Sequence, residues 1–117
     1  MTKKIILTTT ILTLMGLTGC TSTPEPIQYN IDKAKNIEHI QRSFDLYKEH
    51  KSHKAMAVAM DSEGKYVLGY SYDCASPQSA EQIALNNCTR ANDNATVKAA
   101  ASCVLYAVEN TVVHTLQ

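Results

Sequence analysis

The chain of 117 residues has no tryptophan, one phenylalanine and only four glycines. So few glycines leave no Gly-rich phosphate loop, and no serine lies in a G-x-S-x-G nucleophile elbow. Basic and acidic residues balance at 11 each, so no excess of positive charge points to nucleic acid. His50 and His53 have the spacing of two ligands on one helical face, but zinc needs three or four. We therefore expect no enzyme activity, no cofactor, no metal and no nucleic-acid partner.

Long apolar runs are also missing, since the longest, from Ile5 to Leu17, is interrupted by four threonines. A membrane-spanning helix needs about 20 apolar residues, and this run is shorter. Lys3 and Lys4 precede it, and small residues follow it. A basic start, a short apolar centre and a small-residue end are typical of a secretory signal.

The segment ends in Leu17-Thr18-Gly19-Cys20, which resembles the lipobox of bacterial lipoproteins. The resemblance implies that residues 1–19 are removed as a signal peptide. It also implies that Cys20 carries a diacylglycerol thioether and an acylated amine (palmitate). Thr21 stands where an Asp usually retains enteric-type lipoproteins in the inner membrane, which implies the periplasmic face of the outer membrane. The first partner is then the membrane itself, bound through the lipid on Cys20, since two or more acyl chains anchor a protein stably.

The rest of the chain is long enough for one small domain. Removal of Lys3 and Lys4 with the signal leaves nine basic against 11 acidic residues, so no polybasic stretch supports membrane contact. Residues 20–29 are polar and contain two prolines, which indicates a lipidated tether. Residues 30–117 then form a periplasmic α/β domain.

The domain begins with a helix and a hairpin. From a cap at Asn30 or Asp32 to about His50, apolar residues recur on one helical face; they are Ile37, Ile40, Phe44 and Tyr47. Between Lys54 and Tyr72, bulky residues alternate with alanines, which suits a strand with a close helix on its alanine side. Ser62-Glu63-Gly64-Lys65 is the predicted turn of this hairpin.

A second helix is predicted to begin at Ser76-Pro77, a serine cap followed by proline at the first helical position, and to end near Asn94. Residues 103–108 form a third strand, and Val112-Val113 add a short fourth or only trail. The predicted fold class is α+β, in the order helix, β-hairpin, helix, strand. We expect the helices on one face of a three- to four-stranded sheet.

Three cysteines follow Cys20, and a bridge is expected in an oxidising compartment. Cys74 precedes the second helix and Cys88 lies near its end, so about 14 residues at 1.5 Å rise separate them by about 20 Å. A disulfide needs Cα atoms within about 7 Å of each other, so an intact helix excludes a Cys74–Cys88 bridge. If the third strand packs parallel to the second, Cys88 and Cys103 become neighbours. Cys74 is then free, intermolecular or paired in another way.

Residues 54–108 also loosely resemble a small domain of secreted and lipid-anchored bacterial proteins. The residues that carry the resemblance are K-A-M-A-V-A-M-D-S-E-G-K-Y-V-L-G-Y-S-Y, A-E-Q-I-A-L-N-N-C and C-V-L-Y-A-V-E. That family has no established activity. The resemblance implies the fold and the Cys88–Cys103 pairing, and it implies no function.

Three functions follow as hypotheses. The first is a pilotin-like, lipid-anchored module that binds a protein partner or helps to assemble an envelope machine. The second is an inhibitor or immunity lipoprotein against a periplasmic toxin or hydrolase. The third is a thiol-dependent enzyme that uses Cys74, placed just before a helix N-terminus, where thiol pKa values fall.

The lipid assignment predicts the behaviour of Cys20→Ser. Without the thiol the thioether cannot form, so this variant should stay unprocessed or leave the membrane fraction. Gel mobility and fractionation of the envelope check this. A variant with the size and fractionation of the wild type would contradict the assignment.

Overall fold

The computed structural model describes residues 20–22 and 32–116. The signal segment and most of the predicted tether lie outside the described residues. Within these ranges the elements are two helices and four strands, in the order α1 (Lys33–Tyr47), β1 (Ala55–Met60), β2 (Tyr66–Ser71), α2 (Pro77–Asn94), β3 (Val104–Val108) and β4 (Thr111–Val112). Neither helix is long and apolar enough to cross a membrane.

Both helices begin where their capping residues place them. The Asp32 carboxylate accepts a hydrogen bond from the backbone N–H of Ala34 at the start of α1. The Ser76 hydroxyl accepts one from Ser79, with Pro77 at the first position of α2. Each cap satisfies an N–H group that the helix leaves without a partner. The predicted starts are confirmed, whereas α1 ends at Tyr47 instead of His50.

The four strands form one antiparallel sheet in the order β2-β1-β3-β4. The α+β class, the hairpin and the order of elements are confirmed. β1 is antiparallel to both β2 and β3, so β3 runs in the predicted direction, parallel to β2. The adjacency we expected is wrong, however, because β1 lies between them. A helical crossover the length of α2 readily passes over one intervening strand, which is a split βαβ arrangement.

The placement of the two helices on one face is also wrong. The alanines of β1 and Val67 lie in one core cluster with Ala80, Ala84 and Cys88 of α2. Met56 and Val58 lie in a second cluster with Ile40 and Tyr47 of α1. The helices therefore cover opposite faces. The physical reason is that β1 is apolar on both faces, and each face must be removed from water.

The contact of α2 with the hairpin is very close at Gly69. A Cβ atom built on Gly69 would lie 2.2 Å from the Cys88 nitrogen and 2.7 Å from the Ala84 oxygen. The Ser71 hydroxyl, two residues further along β2, donates to the Ala80 oxygen at 2.6 Å. The backbone of α2 thus lies directly against the backbone of β2, which is the close helix that the alanine pattern of β1 predicts.

The buried side of α1 is shifted from the predicted one. Ile40 and Tyr47 are fully buried, but Ile37 and Phe44 are only half-buried. Asn36 is buried in their place, and its amide donates to the Gly64 oxygen at 2.8 Å. A helix N-terminus that lies on a hairpin turn meets backbone carbonyls, and a polar residue satisfies them.

Gly69→Ala tests the close approach. The added methyl group meets α2 backbone, which cannot move aside as a side chain can, so we expect a loss of about 3 kcal/mol or more. Urea unfolding measures the change. Gly69→Ala/Ala84→Gly is the matched control, because removing a side chain from α2 leaves the obstructing backbone in place and should restore nothing. A rescue by the second change would contradict this explanation.

Candidate functional site

The end of β2 holds the cysteine that the sequence assigns to the lipid. Thr21 pairs with Tyr72 through two backbone hydrogen bonds, N–H to oxygen in each direction, both 2.9 Å long. Cys20 forms a disulfide with Cys74. We call these four residues the anchor region. Cys20 and Thr21 thus lie directly on the domain, whereas the predicted tether begins at Cys20.

The disulfide uses the sulfur that the lipid would need. One Sγ atom cannot hold a disulfide and a thioether together, so the bonded form and the lipidated form are different molecules. No cysteine in the described part of the chain is free. Cys74 is 7% exposed, and the thiol-dependent hypothesis would require its bond to be opened.

Aromatic rings lie beside the anchor region. The His50 ring stacks on Tyr72, with centroids 3.8 Å apart and planes 10° from parallel. Beneath them the buried Lys54 ammonium donates to the carbonyls of Lys48 and His50, at 2.7 Å each. Burial lowers the pKa of Lys54, and the charge of Glu109 partly opposes this shift. These contacts close the C-terminal end of α1, where carbonyls have no helical partner.

The two histidines that resembled a metal pair have separate partners. His53 Nδ1 lies 3.2 Å from the Glu109 carboxylate, while His50 stacks on tyrosine. Within residues 20–22 and 32–116 there is no group of three metal-ligating side chains.

The second disulfide joins Cys88 to Cys103, with Cα atoms 6.1 Å apart. It connects α2 to the residue before β3. The side chain of Asn92 accepts from the Ala99 N–H at 2.9 Å and donates to the Ala99 oxygen at 3.0 Å. The loop from α2 to β3 is therefore held in place by a covalent bond and by a two-way amide contact.

At the opposite end of the sheet from the anchor region, the face covered by α1 has an open cleft of about 510 Å³. Its volume is within the usual range of ligand sites. Apolar side chains of two strands and the C-terminal segment mix with polar ones from the hairpin turn and the start of α1. The lining residues are Lys33, Val58, Met60, Asp61, Ser62, Ser102, Val104, His114, Thr115 and Leu116.

Asp61 holds the walls of the cleft together. One carboxylate oxygen accepts from the N–H groups of Glu63 and Lys65, both at 3.0 Å, which fixes the hairpin turn. The other accepts from the Ala100 N–H at 3.0 Å, which fixes the loop before β3. The sequence marks Asp61 only as an ordinary turn residue. Its contact with Ala100 spans 39 positions, and no local pattern predicts such a contact.

These bonds set the protonation of Asp61. Burial opposes ionisation, but the three backbone hydrogen bonds, helped by the charge of Lys65, lower the pKa below its ordinary value. Asp61 is therefore a carboxylate at neutral pH, and both of its oxygens accept backbone hydrogen bonds. Two basic side chains, Lys33 and His114, also line the cleft. No ion pair involves Lys33 in the described ranges.

Asp61→Asn tests this role through pH. A depressed carboxyl pKa contributes stability that is present above the unfolded value and lost as pH falls through the folded value. We therefore expect the variant to melt at a lower temperature than the wild type at pH 7. The difference in melting temperature should become smaller below about pH 4, which is near the ordinary pKa of an aspartate side chain. Thermal melts from pH 7 to pH 2.5 measure both, and a gap that does not change with pH would contradict the role of the charge.

Comparisons of the chain with protein-family models, curated proteins and solved structures found no match. The lipobox and the likeness of residues 54–108 to a secreted domain therefore stay predictions from sequence. Any functional conclusion depends on the residues and on their geometry.

Proposed function

We propose that this chain is a lipid-anchored envelope protein whose domain binds a partner protein through the cleft. The observation that carries the proposal is the placement of the cleft relative to Cys20. The anchor region lies at the C-terminal end of β2. The cleft lies at the opposite end of the sheet, where β1 ends and β2 begins. Six residues of extended strand, about 20 Å, separate them. A lipid on Cys20 would hold one end at the membrane and direct the cleft away from it.

The sheet edge beside the cleft favours an extended segment as the occupant. β4 pairs with β3 only at Ala107 and Val108. The Val113 N–H extends this pairing by one bond, to the Tyr106 oxygen at 2.8 Å. Beyond Val113 no residue of the described chain pairs with β3 in the sheet, and His114, Thr115 and Leu116 line the cleft beside Val104. A sheet edge whose pairing stops next to a pocket is an arrangement that accepts an added strand, with backbone bonds along the edge and side chains in the pocket.

Exposed apolar and basic groups define the chemistry of that segment. Val104, Val112 and Val113 are 39%, 44% and 54% exposed, and Val104 lines the cleft. Lys33 and His114 border the cleft, while the Asp61 charge is held by backbone N–H groups. The best-matched occupant is therefore an extended partner segment with an apolar side chain directed to Val104 and an acidic group near Lys33.

Site-specific photo-crosslinking in the native envelope tests the location. With a photoreactive amino acid in place of Val104 or Thr115, which both line the cleft, we expect a discrete crosslinked product in each case. The same probe in place of the exposed Arg90, on α2 at the other face of the sheet, is the control and should give none. Equal products from all three positions, or none from the cleft, would contradict a specific site.

A charge-reversal pair tests the chemistry of the occupant. Lys33→Glu places a negative charge at the cleft and should reduce the Val104 crosslink at least tenfold. Lys35→Glu makes the same change two positions along α1, on an exposed side chain, and should leave the crosslink unchanged. Equal losses in both variants would indicate general charge attraction and not an acidic group held at Lys33.

A further inference from the structure

We propose that Cys74 is the alternative covalent partner of the anchor cysteine, so that acylation of Cys20 and closure of the Cys20–Cys74 bond compete for one sulfur. The inference rests on the proposed function, because it assumes that Cys20 is acylated. It adds a second covalent form of the protein, in which the N-terminal residue of the mature chain is bonded to the domain.

The backbone brings the two cysteines together. Thr21 is bound to Tyr72 by two hydrogen bonds, and each cysteine lies within two residues of that pair. On its own side, the N–H of Cys74 donates to the His53 oxygen at 3.0 Å, and that of Asp73 donates to the Lys51 oxygen at 2.9 Å. These bonds fix Cys74 whether or not Cys20 is present. Once the domain has folded and Thr21 has docked, Cys20 is directly presented to Cys74.

The two reactions have different co-reactants. Closure needs an oxidised protein disulfide: the Cys74 thiolate attacks it and forms a mixed disulfide, and one oxidant thiol leaves. The Cys20 thiolate then attacks the Cys74 sulfur and releases the second oxidant thiol, so two protons and two electrons reach the oxidant. Acylation needs a phospholipid, whose glycerol carbon bonds to the Cys20 sulfur while the phosphate headgroup leaves with the thiol proton.

The number of free thiols distinguishes the forms. An acylated molecule has one, on Cys74; a closed molecule has none; a molecule in neither form has two. We would denature the full-length protein from its own envelope, label it with a maleimide polymer that shifts gel mobility, and map the non-reduced peptides by mass. We expect bands with zero and one label, a linked Cys20–Cys74 peptide in the first and an acylated Cys20 peptide in the second.

Cys74→Ser then tests the competition. Serine keeps nearly the same shape and cannot close the bond, so the acylated fraction should rise by the fraction that is closed in the wild type. Labelled palmitate incorporated per molecule measures this. The matched control is Ala75→Ser, which makes a small change at the exposed neighbour of Cys74, keeps all the cysteines and should leave the distribution at Cys20 unchanged.

Three alternative results would contradict the competition between the cysteines, and one of them would also contradict the lipid anchor. A wild type with one thiol in every molecule and no linked peptide overturns the inference and leaves the lipid anchor standing. Linked peptide in every molecule, with no palmitate, overturns the anchor and the competition together. An acylated fraction in Cys74→Ser that is no higher than in the wild type would show that the cysteines do not compete.

Discussion

The close approach of α2 to the hairpin at Gly69 is the contact on which the rest of the domain depends. Without a side chain at this position, helix backbone lies directly on strand backbone. The alanines of β1 and α2 extend the same close contact on both sides. That approach fixes the position of Cys88, and Cys88 in turn fixes the start of β3 through Cys103. The central position of β1 in the sheet follows from where this crossover ends.

Three polar side chains fix the relative positions of segments that the apolar core alone does not determine. Asn36 attaches α1 to the hairpin turn, Asp61 attaches the same turn to the loop before β3, and Asn92 attaches that loop to α2. Each is a directional contact to backbone at a place where a non-directional core would permit sliding. The Cys88–Cys103 bond adds about 3 kcal/mol by the chain-entropy argument for a loop of its length. That is a large share of the stability of a domain this small.

The two ends of the sheet serve different purposes in the proposed function. At one end, the Thr21–Tyr72 pair and the Cys20–Cys74 bond join the residue predicted to carry the lipid to the domain. At the other end, the hydrogen bonds of Asp61 connect the hairpin turn to the loop before β3 beside the cleft. The sheet between the two ends is rigid. In the proposed function, a change in the covalent state of Cys20 therefore alters the attachment of the protein to the membrane and leaves the shape of the cleft unchanged.

The sequence by itself determined the local elements: the caps at Asp32 and Ser76, the turn at Gly64 with its φ of 89° and the alternation in β1. These depend on neighbours within a few positions, and short-range rules describe them. Only the tertiary structure decided the strand order, the opposite faces of the helices and the pairing of Cys74 with Cys20, which are 54 positions apart. The alternation in β1 indicates that both faces of the strand are apolar, but it does not indicate which helix covers which face. That choice, like the Asp61–Ala100 contact behind the cleft, depends on the packing of distant segments.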